Sequence, residues 1–267
     1  MKGRNASVIS TGSGKQIKNI IQLQNKAKAR NEQRVFIAEG LRICSEIPKD
    51  MLVKIYINET MKQQIDNGSA AMEFEDYEIV ANNVFKDMAQ TMSPQGILAV
   101  VKQPVYSFEK MLFPGKKTLL FLEDVRDPGN LGTIIRTAEG ADVDGIIMSK
   151  GTVDLFNPKV IRSTMGAVFR MPFVYVDDIK EAIITAKEKD VRFYGAHLKG
   201  KEDYAGITYP LRSAVIIGNE ANGITDATAD MADELVKIPM TGSVESLNAS
   251  VAAAVFMYEI YRQRRFG

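Results

Sequence analysis

The sequence predicts an α/β protein in which a mostly parallel sheet follows a smaller α/β unit. From residue 117 onward, short apolar strands alternate with amphipathic helical segments, a pattern typical of parallel sheets. The 267 residues suffice for one large or two small domains, and the 45% hydrophobic and 25% charged residues are typical of globular proteins. Proline, glycine and charged residues within 103–116 predict a linker. We therefore expect a first domain over 1–102 and a second over 117–267.

In the first domain, polar residues 1–14 predict a flexible arm. Apolar residues at helical spacing then predict an amphipathic helix over 15–30 and a second helix over 39–47, which Pro48 ends. The remaining predicted elements are strands over 53–57 and 97–101 and a short helix over 82–88. Together these elements form a small α/β unit.

The second domain alternates strands with helices, so ligands are expected at loops that follow the carboxyl ends of the strands. The predicted strands cover 118–122, 145–148, 173–176, 191–196, 214–218 and 235–238. The predicted helices cover 130–141, 158–165, 179–188 and 246–264. The last helix carries an apolar stripe of Leu247, Val251, Ala254, Tyr258 and Tyr261. This stripe indicates either a core helix or a subunit interface.

The charge of the chain is unevenly distributed. The formal net charge is only +1, but residues 1–42 hold nine basic and two acidic groups, a balance of +7. A basic segment of this kind can bind a phosphate backbone whatever the charge of the whole chain. Since Lys and Arg are also common on solvated helix faces, charge alone leaves both interpretations open.

Several classes of protein are disfavoured by what the sequence lacks. One cysteine and one histidine cannot form an internal disulfide or a thiolate metal cluster, so we expect no metal site. Without an 18-residue apolar run or an apolar signal core, we expect a cytoplasmic protein that is not embedded in a membrane. No strand leads into the Gly-x-Gly-x-x-Gly pattern, which removes support for NAD dehydrogenases and ordinary Rossmann methyltransferases.

Three loops at predicted strand ends carry chemistry. The first runs from Asp127 through Pro128 and Gly129 to Asn130, where a helix begins, and Arg136 follows six residues later. Helix starts attract anions, so this loop is a candidate site for a phosphate. The other two loops contain Gly218-Asn219-Glu220 with Gly223, and Ile238-Pro239-Met240 with Ser246-Leu247-Asn248. Taken singly, each loop is compatible with ordinary capping and turns.

Together and in this order, these loops resemble the signature motifs of the SpoU (TrmH-type) branch of the SPOUT RNA methyltransferases. Residues 157–167 also match this family, and the similarity extends over 117–267. Residues 15–101 resemble, more loosely, the substrate-binding domain that precedes the catalytic domain in many members. Most of that weaker similarity lies in residues 36–42.

The resemblance implies a homodimer that transfers a methyl group from S-adenosylmethionine to a ribose 2′-hydroxyl in RNA, with a C-terminal trefoil knot. It assigns cofactor binding to Gly218, Ile238 and Leu247, flanked by Ala196, His197 and Leu198. It makes Arg136 the key catalytic residue, supported by Asn130, Glu220, Ser246 and Asn248. Because guanidinium stays protonated, Arg136 is expected to hold a phosphate and stabilise the developing alkoxide rather than to remove a proton.

The RNA target stays open at this point. The extra N-terminal domain favours rRNA over tRNA. A catalytically silent RNA-binding or ribosome-assembly protein is the alternative from another class, although the motif residues Arg136, Glu220 and Asn248 are all present. A Rossmann enzyme acting on a small molecule is a more distant alternative, because the glycine fingerprint is missing.

Overall fold

The structure, a computed structural model, describes residues 8–70 and 76–266. The chain forms two compact units, which we call the first unit (Met1–Pro104 with Phe156–Phe169) and the second unit (Val105–Leu155 with Arg170–Gly267). The predicted domains differ from these units at Phe156–Phe169, which the prediction assigned to the second domain. No helix among the described residues is long and apolar enough to cross a membrane.

The elements are numbered in chain order. The helices are α1 (Lys15–Asn25), α2 (Ala27–Gln33), α3 (Leu41–Ser45), α4 (Glu59–Asp66), α5 (Asn82–Met88), α6 (Phe108–Met111), α7 (Pro128–Gly140), α8 (Pro158–Thr164), α9 (Ile179–Lys187), α10 (Asp226–Ala229) and α11 (Ala249–Phe266). The strands are β1 (Val35–Glu39), β2 (Leu52–Asn58), β3 (Glu78–Val80), β4 (Ile97–Lys102), β5 (Lys117–Leu122), β6 (Gly145–Ser149), β7 (Phe173–Val176), β8 (Arg192–Ala196), β9 (Glu202–Asp203), β10 (Arg212–Ile217) and β11 (Glu234–Lys237).

The first unit has a four-stranded mixed sheet in the order β1-β4-β2-β3. β4 is antiparallel to both of its neighbours, and β3 is parallel to β2. Ile9 pairs with this sheet, since its N–H donates to Ile79 O (2.8 Å) and its carbonyl accepts from Ala81 N (3.0 Å). The predicted flexible arm over 1–14 is therefore wrong at Ile9, while residues 1–7 lie outside the described residues.

The predicted helix over 15–30 is two helices, with Lys26 extended between them (φ −125°, ψ 112°). Arg30 explains why the break is stable. Its guanidinium lies in α2 and donates to the carbonyls of Leu23 (2.6 Å) and Gln24 (3.2 Å) at the end of α1. These carbonyls lack helical partners and are capped by Arg30, which is buried. Arg30 is therefore structural and is not part of the basic surface that the charge count predicted.

The predicted helix over 39–47 is also shorter in the structure. Glu39 is the last residue of β1, and Gly40 turns the chain with φ +113° before α3 begins at Leu41. A positive φ favours glycine. No sequence pattern predicted α4, which is short and rich in polar residues, or β3, which has only three residues.

The segment Phe156–Phe169 belongs to the first unit through its aromatic contacts. The ring of Phe36 in β1 lies 5.1 Å from that of Phe156 and 6.1 Å from that of Phe169, measured between centroids. All three side chains are buried. Residues distant in sequence therefore share one core.

The second unit has a seven-stranded sheet in the order β7-β6-β5-β10-β8-β11-β9, and all of its strand pairs are parallel. The predicted α/β fold with a mostly parallel sheet is confirmed. Successive strand residues face opposite sides: Leu119 and Phe121 pack in one apolar cluster with Ile183 of α9, while Leu120 is buried away from that cluster. The predicted linker contains α6, whose Met111 is in the same cluster. The trefoil knot stays a prediction.

Helix α11 begins at Ala249, three residues after the predicted start, and packs against β10 and α7. Its buried side carries Ala253, Phe256, Met257 and Ile260. The predicted stripe is turned outward, with Val251 and Tyr258 about half exposed (48% and 49%). Of its two interpretations, the core helix is therefore wrong for this stripe, and the interface interpretation stays a prediction.

Candidate active site

The loop after β10 makes an exceptionally close approach of backbone to backbone. Asn219 N donates to Gly223 O (3.0 Å) and Gly223 N donates to Asn219 O (2.8 Å), which closes residues 219–223 into a tight loop. A Cβ on Gly218 would lie 2.0 Å from the carbonyl carbon of Gly223, and Gly223 itself has φ +69°. Residues larger than glycine are thus excluded from position 218. The absence of a side chain there leaves the backbone at the end of β10 accessible.

A cavity of about 370 Å³ opens at the carboxyl ends of β8, β10 and β11, and α11 begins beside it. Its volume is typical of small-molecule sites, which occur at this edge of parallel sheets. All six residues predicted to bind the cofactor line it, namely Ala196, His197, Leu198, Gly218, Ile238 and Leu247. Phe256, Ala252 and Lys199, which were not predicted as cofactor residues, also line the cavity. Phe256 and Ala252 lie in α11 outside its predicted stripe, so the helical pattern gave no signal for them.

The backbone around the cavity has free hydrogen-bonding groups. Among the described residues, the peptide groups of Gly218, Ile238 and Leu247 make no hydrogen bond. Buried or lining peptide groups normally have partners, so three free ones at one cavity are available to a ligand. They can donate to and accept from a flat polar ring system, and the neighbouring Phe256 and Ala252 supply an apolar wall.

His197 stabilises one side of the cavity. The backbone N–H of His197 donates to Val236 O (2.9 Å), and the ring Nδ1 accepts from Lys199 N (3.0 Å). The ring acceptor at Nδ1 places the proton of the neutral imidazole on Nε2. The loop from Ala196 to Gly200 is thereby attached to β11.

Glu220, Asn130 and Asn248 form one continuous network beside the cavity. Glu220 Oε1 accepts from Asp127 N (3.1 Å) and from Asn130 Nδ2 (2.9 Å), and its Oε2 accepts from Arg126 N (3.2 Å). Asn130 Oδ1 in turn accepts from Asn248 Nδ2 (2.9 Å). The structure thus brings together three of the five predicted catalytic residues, although their roles stay predictions.

The carboxylate of Glu220 is ionised at neutral pH. Partial burial raises its pKa, but hydrogen bonds from Asn130 and from the backbone N–H groups of Asp127 and Arg126 outweigh burial and hold the pKa below the ordinary glutamate value. Because each oxygen already accepts a hydrogen bond, Glu220 is suited to holding Asn130 and the start of α7 in place. It is not placed to act as a proton donor.

Helix caps fix the other two members of the network. Asp127 Oδ1 accepts from Asn130 N (2.8 Å) and caps α7. Asn248 Oδ1 accepts from the N–H (2.9 Å) and hydroxyl (2.7 Å) of Ser250, at the start of α11. Each asparagine amide therefore has a defined orientation, and the network joins the first turns of two helices.

The remaining two predicted catalytic residues lie apart from this network. Ser246 is exposed and lines the cavity, but it has no hydrogen bond to Asn130, Glu220 or Asn248. Arg136 is exposed on α7, is not among the cavity-lining residues, and has no ion pair with any described residue. Six residues separate it from Asn130, which corresponds to about 9 Å along the helix and a different face. Arg136 therefore does not line the cavity of its own chain in this structure.

Metal ligation has no support in the geometry. Across residues 8–70 and 76–266, no three His, Cys, Asp or Glu side chains are grouped as metal ligands would be. The cavity is instead lined by backbone, amide and apolar groups. This donor set suits an organic ligand.

Fold and site together define a parallel α/β protein with a small-molecule cavity at the carboxyl edge of its sheet. The chain belongs to the SpoU rRNA methylase family, whose model matches residues 117–258. A second family model, the MRM3-like substrate binding domain, matches residues 14–99. The predicted family resemblance is confirmed.

Individual relatives extend this similarity to nearly the whole chain. The 23S rRNA (guanosine(2553)-2′-O)-methyltransferase RlmP of Bacillus subtilis is 32% identical, over 94% of this chain and 98% of the relative. A putative TrmH family tRNA/rRNA methyltransferase of Staphylococcus aureus is 33% identical, over 79% of this chain and 88% of the relative. The crystal structure of an AdoMet-bound rRNA methyltransferase from Sinorhizobium meliloti has a TM-score of 0.82 and 28% identity, covering 98% and 99% of the two chains.

Proposed function

We propose that this protein transfers the methyl group of S-adenosylmethionine to a ribose 2′-hydroxyl of RNA, with rRNA as the substrate. The observation that carries this proposal is the cavity with free peptide groups at Gly218, Ile238 and Leu247 beside the Glu220–Asn130–Asn248 network. The name of the Bacillus subtilis relative supports rRNA, and that of the Staphylococcus aureus relative keeps tRNA as the second candidate. An rRNA substrate also agrees with the predicted cytoplasmic location.

The residues present fit the cofactor. Gly218, Ile238 and Leu247 would hold its polar groups through their free peptide groups, and Phe256 and Ala252 would contact its apolar parts. S-adenosylmethionine supplies a methyl group on a positively charged sulfur. Recognition through backbone explains why the cavity needs no acidic residue aimed at a ribose.

The reaction is an in-line displacement, so the protein must orient the ribose 2′-oxygen and exclude water. The 2′-oxygen forms a bond to the methyl carbon while the carbon–sulfur bond breaks, and the hydroxyl proton passes to a phosphate oxygen or water. Glu220 and Asn248 hold the Asn130 amide in a fixed orientation, which leaves its second N–H available for the substrate. Arg136 would hold the adjacent phosphate and stabilise the developing negative charge.

The position of Arg136 favours a homodimer in which one copy completes the site of the other. Helix α11 lines the cavity through Ala252 and Phe256 and turns Val251 and Tyr258 outward. An exposed apolar stripe of this kind is typical of a subunit interface. A dimer that covers this stripe and the exposed side of α7 would place Arg136 of one copy near the cavity of the second.

Mixing two inactive variants tests this arrangement. Arg136→Ala removes the arginine, and Ala252→Phe fills the cavity. If Arg136 acts across the interface, dissociated and re-associated mixtures should regain about a quarter of wild-type activity, because half of the dimers are mixed and each mixed dimer has one complete site. No recovery in a mixture that demonstrably contains mixed dimers would contradict the arrangement.

The first unit would hold the RNA. Lys15, Lys18, Lys26, Lys28 and Arg34 are exposed on and beside α1 and α2. Phosphate contacts of this kind weaken steeply as salt increases. The name of the matching family model, a substrate binding domain, agrees with this role.

The test is methyl transfer to a transcript of 23S rRNA and, separately, to tRNA, followed by mapping of 2′-O-methyl positions. A tRNA-only product would favour the second candidate. Cofactor binding without any transfer would favour the silent RNA-binding protein, and the presence of Arg136, Glu220 and Asn248 argues against that outcome.

A further inference from the structure

The first unit contains a cavity of about 550 Å³ of its own. It opens where β2 ends, where α4 and α5 begin, and where the loop before β4 passes. Its volume lies within the range of known small-molecule sites. None of the motifs that define the methyltransferase site contributes to it.

Two asparagine side chains of this cavity have amide groups with a fixed orientation. Asn58 Oδ1 accepts from Met61 N (2.7 Å), and Asn82 Oδ1 accepts from Thr60 N (3.3 Å) and from the Thr60 hydroxyl (3.1 Å). A backbone N–H can only donate, so the atom that faces it must be the amide oxygen. The Nδ2 group of each asparagine is therefore the end that remains free.

Gln95, in the loop before β4, has the same arrangement. Its Oε1 accepts from Leu41 N (2.8 Å), which leaves Nε2 free. The loop that carries it lies close to Asn58, because a Cβ on Gly96 would lie 2.4 Å from Asn58 Oδ1, and Gly96 has φ +82°. Any residue other than glycine at position 96 would therefore displace Asn58, which lines the cavity.

The polar lining of the cavity consists mainly of hydrogen-bond donors. Within residues 8–70 and 76–266, the amide nitrogens of Asn58, Asn82 and Gln95 donate to no acceptor, and Lys86 has no ion pair. None of the described residues that line the cavity carries a carboxylate, and the neighbouring Glu59 carboxylate is directed at the backbone, where its Oε2 accepts from Asn82 N (3.1 Å). A ligand that satisfies three amide donors and an ammonium group must be rich in acceptors, as are phosphate, ribose and the carbonyl edges of nucleobases.

The rim adds apolar contacts. Met92 is fully exposed and Pro94 is half-buried, and both line the same cavity. An exposed methionine next to a proline offers a polarisable surface for the flat face of a base. Only a base that has left its helix can enter a concave site of this kind, and proteins recognise RNA sequence mostly through such unpaired bases.

We propose that this cavity binds one unpaired nucleotide of the RNA substrate, with the amide groups of Asn58, Asn82 and Gln95 and the ammonium group of Lys86 contacting its phosphate and base acceptors. The inference rests on the proposed function, because it takes RNA as the substrate. It adds a specific recognition site to the general attraction of the basic surface on α1 and α2.

The sharpest test converts a free amide donor of the cavity into an acceptor without changing the shape of the side chain. Asn82→Asp and Gln95→Glu keep the oxygen that accepts the internal hydrogen bond and replace the free amide nitrogen by a carboxylate oxygen. Asn83→Asp is the matched control, because it makes the same charge change on the neighbouring exposed residue outside the cavity. The full-length proteins are titrated into a labelled 23S rRNA transcript and into oligouridylate at one fixed salt concentration.

Asn82→Asp and Gln95→Glu should each weaken RNA binding by about tenfold, since a phosphate-contacting donor becomes a like charge, whereas Asn83→Asp should weaken it by less than about threefold. Thermal unfolding and S-adenosylmethionine binding should not change. Equal, small losses in all three variants would overturn the proposal, as would unaltered binding in both cavity variants. The titration needs no methyl transfer, so a wild-type protein that fails to methylate RNA would refute the proposed function and still leave the cavity tested.

Discussion

Replacing Glu220 by Gln should release Asn130 and the loop before α7. The Glu220 carboxylate accepts three hydrogen bonds, from Arg126 N, Asp127 N and Asn130 Nδ2. In the Gln variant one oxygen becomes an NH₂ group, which faces a donor and cannot accept from it. Whichever way the amide turns, at least one of these hydrogen bonds is lost and the charge that strengthens the others is removed.

The expected loss of stability is modest and the expected loss of activity is larger. Hydrogen bonds to a charged group contribute about 1.5–3 kcal/mol each when buried, but Glu220 is partly exposed, so the variant should lose about 1–2 kcal/mol in the free energy of unfolding. A small displacement of Asn130 affects the aligned reaction more, and single-turnover methyl transfer should slow by about ten- to hundredfold.

The pH dependence of the unfolding free energy distinguishes loss of the Glu220 hydrogen bonds from a general loss of surface charge. The folded-state pKa of Glu220 is lowered, so its stabilisation is complete above the ordinary glutamate pKa and disappears as pH falls through the folded-state pKa. The gap in unfolding free energy between wild type and Glu220→Gln should therefore be full at pH 7 and close in acid. Glu245→Gln, which removes an exposed carboxylate outside the hydrogen-bond network, is the control. A gap that persists unchanged in acid, or equal kinetics in both variants, would refute the reasoning.

Three further outcomes follow from the structure. Arg136→Lys should reduce turnover by about 10²–10³ with little effect on cofactor affinity, because lysine lacks the planar fork, and near-normal turnover would remove the catalytic assignment. Phe36→Ala should cost about 3–5 kcal/mol in chemical denaturation, since Phe36 contacts Phe156 and Phe169, and a loss below about 1 kcal/mol would contradict that packing. Gly218→Val should abolish cofactor binding measured by calorimetry, because its side chain would overlap Gly223; retained affinity would exclude the proposed cofactor position.

The strands of the second unit were predictable because each is a short, continuous apolar run bounded by turn residues. β7 lies exactly where the pattern placed it, and β5 and β10 differ by one or two residues at their ends. The first unit was harder to predict. Nothing local signals the break at Lys26, since it depends on the guanidinium of Arg30 reaching back over a turn to cap α1.

The sequence predicted which residues form the site, but it predicted only part of their spatial arrangement. All six predicted cofactor residues share one cavity, because the carboxyl ends of parallel strands meet at one edge of the sheet. The hydrogen bonds among Glu220, Asn130 and Asn248 join residues 90 and 118 positions apart, which no local pattern can reveal. Arg136 is not among the residues that line the cavity, because helix geometry places it on a different face of α7 from the buried Asn130, and completion of the site by a second copy of the chain stays a proposal.

The central claim, transfer of a methyl group to a ribose 2′-oxygen, is tested most directly by isotope transfer. The wild-type protein is incubated with S-adenosylmethionine labelled in its methyl group and a 23S rRNA transcript, and the RNA is digested to nucleosides for identification of the labelled product. The account predicts a 2′-O-methylated nucleoside as the labelled species, absent in Arg136→Ala although that variant still binds the cofactor. Label on a base, or undiminished labelling by Arg136→Ala, would contradict it.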